Sequence, residues 1–275
     1  MHARKLCKMT LLLLILTFVL PVLSSPSYSL LVNDRIIARW TNNLYYPGKV
    51  SATGNGLIHV LFDDGDRITH TVRDISAVIP DQQPSHVKLG QHVVATWKGG
   101  HKYYIGYVSQ IVSGSRPFKV TFDDNDEDYY QAHQLRKFPD HQTAHEVGAR
   151  VFARWTNGLY YRGFVARANS STVFIRYDDG DTIILHKIDR TAVILDKLPC
   201  YSHIKPGQRV IGFWPGRTRY YPGVVTYKRP TGLANCYQKA VYYVVFDDGD
   251  RRMQDFNQIR IIPCMTTETN TNESV

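Results

Sequence analysis

Residues 35–71, RIIARWTNNLYYPGKVSATGNGLIHVLFDDGDRITHT, read as four strands. Arg35–Trp40 alternates, Tyr45–Ala52 alternates after a polar turn, Leu57–Phe62 follows, and Asp66–Val72 comes after Asp64-Gly65. Asp-Gly between alternating apolar runs is a strong local hairpin signal. Side chains two apart share a face of a strand. Ile36, Ala38 and Trp40 therefore share one face, as do Tyr46, Gly48 and Val50, and Val60, Phe62 and Asp64. With antiparallel strands in a closed or strongly curled sheet, Trp40, Tyr46, Phe62 and Asp64 meet at one rim. Three aromatics and a carboxylate there make a cup suited to a cation.

The same stretch occurs four times. All four tryptophans fall at one repeat position, Trp40, Trp97, Trp155 and Trp214, spaced by 57, 58 and 59 residues. Each precedes a tyrosine pair with glycine two residues on (Gly48, Gly106, Gly163, Gly223), then an acidic hairpin: FDDGD from Phe62, FDDND from Phe122, YDDGD from Tyr177 and FDDGD from Phe246. Asn125 replaces glycine in the second copy, a substitution that a positive φ tolerates. Gly90, Gly148 and Gly207 each stand three residues before an inward-facing valine, and Asn33 takes that place before Ile36. The expected units are 32–80, 89–139, 146–195 and 206–263, followed by a polar, disordered tail at 264–275. The expected hairpin turns are Asp64-Gly65, Asp124-Asn125, Asp179-Gly180 and Asp248-Gly249.

Arg4, Lys5 and Lys8 precede a nearly all-apolar run, Met9–Leu23. This is the pattern of a signal peptide over residues 1–24 cleaved after Ser24, with an uncleaved anchor as the alternative. The protein is thus expected to be secreted. Three cysteines would remain in the mature chain. Cys200 and Cys264 bracket the fourth repeat and are the favoured disulfide, with Cys236 the rival partner. Asn169 and Asn272 begin glycosylation sequons, both in expected loops. Residues 25–200 hold 20 basic and 18 acidic residues, whereas residues 201–265 hold ten and four. The fourth repeat is therefore the candidate for contact with a polyanion.

The string W-x4/5-YY-x-G-x-V…V-x-F-D-D-G-D resembles the Tudor domain, four times over residues 32–263. The resemblance implies an all-β chain of four tandem five-stranded SH3-like barrels. It also implies that aromatic cages recognise methylated lysine or arginine on a protein partner. By matching motif, the cages are Trp40, Tyr46, Phe62 and Asp64; Trp97, Tyr104, Phe122 and Asp124; Trp155, Tyr161, Tyr177 and Asp179; and Trp214, Tyr221, Phe246 and Asp248. Strand phase selects the same residues. Where many family members carry a further aromatic, this chain has Asp66, Asp126, Asp181 and Asp250. That exchange favours mono- or dimethyl-lysine, or arginine, over trimethyl-lysine.

An enzyme is not expected. Asp63 and Asp64 are adjacent on a strand and point to opposite faces, so they form no acid/base dyad. The histidines do not recur at repeat positions. No cofactor or zinc spacing is present, and Asp123–Asp128 lacks the spacing and closing glutamate of an EF-hand. The expected function is non-catalytic binding through the cups, with polyanion binding by the fourth repeat as the alternative. Arg39 and Arg154 are the expected internal partners of Asp64 and Asp179.

Overall fold

The computed structural model describes residues 30–215, 218–230 and 240–263. The expected leader, Cys236, Cys264, Asn272 and the tail lie outside the described residues. The first repeat gives β1 (Arg35–Arg39), β2 (Tyr45–Gly54), β3 (Leu57–Phe62), β4 (Arg67–Thr71) and β5 (Val78–Pro80). The second gives β6 (His92–Thr96), β7 (Tyr103–Ile111), β8 (Phe118–Phe122), β9 (Glu127–Tyr130) and β10 (Leu135–Lys137). The third gives β11 (Arg150–Arg154), β12 (Tyr160–Ala168), β13 (Thr172–Tyr177), β14 (Thr182–His186) and β15 (Val193–Leu195). The fourth gives β16 (Arg209–Phe213), β17 (Tyr220–Pro230), β18 (Ala240–Phe246), β19 (Arg251–Asp255) and β20 (Ile259–Ile261). Helix among the described residues is confined to three single 3-10 turns, at Ala132–Gln134, Tyr201–His203 and Phe256–Gln258.

Every unit has the antiparallel order fourth–third–second–first–fifth strand. The glycine after the tyrosine pair makes the curl possible. A Cβ on Gly48 would sit 2.6 Å from the Leu61 carbonyl oxygen, and one on Gly163 would sit 2.5 Å from that of Arg176. Only glycine lets the second strand lie this close to the third. A register shift follows in all four copies, the first between Val50 and Ala52; such bulges bend the strand further. Each unit encloses its own apolar cluster, Ile36, Ala38, Val50, Val60 and Phe62 in the first. Burying each such aliphatic or aromatic side chain contributes roughly 1.5–3 kcal/mol.

The units are joined in pairs. Tyr45 pairs with Tyr103, joining the first two repeats into one ten-stranded sheet, and Tyr160 pairs with Tyr220, joining the last two. The physical reason lies in the first strands. Ile37, Val94, Phe152 and Ile211 point away from their own unit's core, yet all are fully buried. Ile37, Tyr45 and Ile79 pack on Val94, Ile105 and Phe138 of the neighbouring unit. Phe152, Tyr160 and Ile194 pack likewise on Ile211, Tyr220 and Ile262.

Each pair is also clamped by charge at equivalent positions. Asp81, expected in a polar linker, accepts a 2.5 Å hydrogen bond from Arg136 Nε. Asp196 accepts a 2.7 Å bond from Arg260 Nε. The two pairs meet through Arg150, which reaches Asp178 of its own hairpin at 2.5 Å and Asp123 of the second repeat at 2.5 Å. Ser76 Oγ donates to the Gly148 carbonyl at 2.7 Å, and the Arg39 guanidinium stacks 3.9 Å from the Phe164 ring centre.

Candidate functional site

The structure brings together the three aromatics of each predicted cup. In the first, Phe62 is the buried floor, with Trp40 at 5.4 Å and Tyr46 at 6.2 Å, both edge-on. In the third, Tyr177 is the floor, with Trp155 at 5.3 Å and Tyr161 at 6.2 Å. Phe122 holds Trp97 at 5.6 Å and Tyr104 at 6.3 Å, and Phe246 holds Trp214 at 5.7 Å and Tyr221 at 6.2 Å. The floors are buried and the walls half-buried, as a rim requires.

The two aspartates of each hairpin divide the work. The first is structural where strand one supplies an arginine: Arg35 grips Asp63 at 2.6 and 2.8 Å, and Arg209 grips Asp247 at 2.5 and 2.7 Å. Each carboxylate is held below its ordinary pKa, chiefly by the arginine's hydrogen bond. In the second repeat His92 stands in the arginine's place, and Asp123 turns instead to Arg150 of the third. The second aspartate is exposed in all four copies. Its Oδ1 accepts the backbone N–H two residues on: Asp64 from Asp66 at 3.1 Å, Asp124 from Asp126 at 3.0 Å, Asp179 from Asp181 at 3.1 Å and Asp248 from Asp250 at 3.1 Å.

This corrects the predicted partners. Arg39 pairs with Asp74, and Arg154 with Asp189; neither reaches Asp64 or Asp179. The second aspartate is satisfied by the turn and by solvent, and it stands at the mouth rather than in the apolar column. The turn itself is as expected in place. Gly65 N donates to Phe62 O at 3.1 Å, and the left-handed residue is Gly65 (φ 96) or, in the second copy, Asn125 (φ 74).

The cups fall into two classes. In the first and third, an asparagine two residues after the tryptophan braces the tyrosine wall: Asn42 Nδ2 donates to Tyr46 Oη at 2.9 Å, and Asn157 Nδ2 to Tyr161 Oη at 2.9 Å. The same place is Gly99 or Gly216 in the even repeats. There the chain's own cations lie over the tryptophan: Lys98 Nζ 5.1 Å from the Trp97 ring centre, and Arg252 Cζ 5.2 Å from that of Trp214. Among the described residues, no lysine or arginine lies over Trp40 or Trp155. Trp-Thr-Asn, present only in the odd repeats, was the available signal.

The third cup opens as a depression of about 160 Å³ lined by Trp155, Asn157, Tyr161, Tyr177, Asp179 and Asp181. Tyr177 is the one floor residue with a hydroxyl, and that buried hydroxyl has no hydrogen-bond partner. Burial, then the nearby Asp179 and Tyr161, raise its pKa, so it is neutral at ordinary pH. The cup therefore offers aromatic faces and two carboxylates, above a floor whose buried hydroxyl is unpaired. No cluster of metal-ligating side chains occurs among the described residues, and no helix there is long and apolar enough to cross a membrane. Asn169 sits in an exposed turn, its Oδ1 accepting the Thr172 N–H at 2.7 Å.

No curated protein matches the chain. Among solved structures it is similar to one described as the SHH1 SAWADEE domain in complex with H3K9me3 peptide, at 15% identity and a TM-score of 0.31, covering 42% of this chain and 98% of that one. It is also similar to extended-Tudor 10-11 of Drosophila melanogaster, at 11% identity and a TM-score of 0.18, covering 86% of this chain and 80% of that one. At these scores the fold is read from strand order and register alone. A family model matches residues 33–146 and again 148–267, and each match spans one pair of repeats and one ten-stranded sheet. The chain belongs to the family described as "Domain of unknown function (DUF4537)" and carries its domain twice.

Proposed function

We propose that this chain is a non-catalytic binding protein whose odd-numbered aromatic cups receive a methylated lysine or arginine side chain of a protein partner. One observation carries the reading. The third cup is an open depression walled by three aromatics, bordered by Asp179 and Asp181, and free of any internal cation among the described residues. A cation over an aromatic face gains roughly 0.5–2 kcal/mol. Three walls and a carboxylate then give a few kcal/mol, an affinity on the order of millimolar to high micromolar. Methylation lowers the cost of stripping water from the ammonium. A mono- or dimethylated ligand keeps an N–H for the carboxylates. In this reading each repeat is a Tudor-like barrel, and the chain acts outside the cell after losing residues 1–24.

The test is calorimetric titration of methylated and unmodified peptides into the full chain. Methylated peptide should bind, unmodified lysine peptide should bind at least several-fold more weakly, and Trp155→Ala should remove the third site with the far-UV spectrum intact. Absence of binding by every methylated peptide to the wild type ends the reading. The polyanion alternative is not favoured. Arg209 and Arg260 of the basic fourth repeat are committed to Asp247 and Asp196, and Arg252 lies on Trp214. Steep loss of binding with salt would instead support it.

A further inference from the structure

The first and third cups come from different sheets, 115 residues apart in sequence as judged by Trp40 and Trp155, yet their rims touch. The loop between Trp40 and Tyr46 forms one side of the first cup. From that loop, the Thr41 carbonyl accepts a 2.5 Å hydrogen bond from Arg176 Nη2, and Asn43 Nδ2 donates to the Tyr177 carbonyl at 3.3 Å. Tyr177 is the floor of the third cup, and the acidic hairpin springs from it. The wall-forming loop of one cup is thus bonded to the floor residue of the other.

The seam is specific to this junction. Asn43 has φ 63, and the equivalent residue of the third repeat is Gly158, with φ 81. The left-handed backbone favours glycine, and the first repeat has instead an asparagine whose amide makes the bond across the seam. The two cups joined in this way are also the two of like construction. Both have an asparagine-braced tyrosine wall at 2.9 Å, and neither tryptophan is covered by an internal cation among the described residues. The even cups each have their own cation over the tryptophan; the second meets the third unit through Asp123 of its hairpin, which binds Arg150 and Arg162.

We propose that the first and third cups act together as one two-point reader, taking a single partner segment that presents two methylated cationic side chains. This rests on the cup reading above and adds to it the number and spacing of marks the partner must carry. An extended chain advances about 3.3 Å per residue, so marks roughly four to eight residues apart would reach mouths on either side of a seam one loop wide. Linked binding gains through effective concentration, commonly by 10²-fold or more when the spacing fits.

The probes are synthetic peptides with one dimethyl-lysine, or with two separated by two, five or eight residues, titrated by calorimetry into the full chain. At the fitting spacing the two-mark peptide should bind at 1:1 and at least tenfold more tightly than the one-mark peptide. Trp40→Ala and Trp155→Ala should each return it to the one-mark level, and one-mark binding at the surviving cup serves as the folding control. Asn43→Gly keeps the left-handed backbone conformation seen at Gly158 but removes the seam bond, and should lose part of the two-mark gain. One-mark binding with no gain at any spacing, or two-mark binding that bridges two chains per peptide, overturns the paired reader and leaves the single cups standing. No one-mark binding at all overturns the cup reading itself.

Discussion

Asp196→Asn is the sharpest perturbation of the scaffold that presents the cups. The Asp196 side chain is 1% exposed and lies 2.7 Å from Arg260 Nη2, itself on a side chain 1% exposed. Arg162 Nε is 3.3 Å away. Burial opposes the carboxylate's charge, but Arg260 and then Arg162 outweigh it and hold Asp196 well below the usual carboxylate range. Substitution by asparagine keeps the shape and leaves two buried guanidinium groups facing an amide. Breaking a buried ion pair from one side costs about 3–5 kcal/mol, because the remaining charge is uncompensated. The equivalent clamp of the first pair, Asp81 with Arg136, has side chains 20% and 15% exposed. Water shares the cost there, and Asp81→Asn should lose about 1–3 kcal/mol.

Urea unfolding at pH 7 measures the difference. With a slope of about 2–3 kcal/mol per molar, Asp196→Asn should lower the midpoint by roughly 1–2 M, and Asp81→Asn by less. The pH dependence has a definite sign. The folded pKa lies below the unfolded value of about 3.9, so the unfolded chain takes up the proton first. This stabilisation is complete above about pH 5 and is lost as pH falls toward the folded value. The gap between wild type and Asp196→Asn should therefore narrow below about pH 4. A loss no larger than that of Asp81→Asn, or a gap that stays constant into acid, would refute the charge clamp.

Three further outcomes are expected. Gly163→Ala places a Cβ 2.5 Å from the Arg176 carbonyl oxygen and 3.0 Å from the Tyr177 Cα, and should destabilise the third unit by more than about 1 kcal/mol in thermal unfolding. Tyr177→Phe removes a buried hydroxyl without a partner and should raise the melting temperature in the absence of ligand, since such a group costs about 1–3 kcal/mol; an unchanged or lower value would mean the hydroxyl is satisfied. Mass spectrometry of the mature protein, digested without reduction, should show a chain beginning at Ser25 with Cys200 linked to Cys264; a chain that retains Met1 would end the proposal of export by cleavage.

The curl of each unit was legible because it rests on local rules. Strand phase, the glycine after the tyrosine pair and the acidic hairpin are all short-range, and four copies repeat them. The expected strands Arg35–Trp40 and Leu57–Phe62 agree with β1 and β3 to within a residue. What lay hidden was everything that depends on a second unit. The phase of Ile37 points outward from its own core, and apolar residues on both faces of a strand signal burial on both sides. Asp81 read as a linker residue because its partner, Arg136, is 55 residues away. The partners of Asp64 and Asp179 were misassigned for a related reason. Adjacency in the pattern suggested Arg39 and Arg154, but those arginines lie on the phase that leaves the core, toward Asp74 and Asp189.

The hidden roles of Ile37 and Asp81 share one cause: the structural repeat of this chain is the pair, not the single motif. Neither half of a pair can bury its first strand alone, since Ile37 and Val94 pack in one cluster drawn from both halves, with Phe164 of the third unit beside them. The charged clamp at Asp81 or Asp196 likewise needs an arginine from the partner half. Once the pair is the unit, the alternation of the cups has a structural sense. Odd and even positions occupy different places in the pair, so the odd ones can stay open while the even ones take up Lys98 and Arg252. Doubling the pair then sets two asparagine-braced cups in one molecule, and the Arg176–Thr41 and Asn43–Tyr177 bonds join the loop of the first to the floor residue of the third. Under the proposed reading a single pair offers one such cup, and two pairs held against each other offer two, the smallest arrangement of this fold that would distinguish a doubly marked partner from a singly marked one.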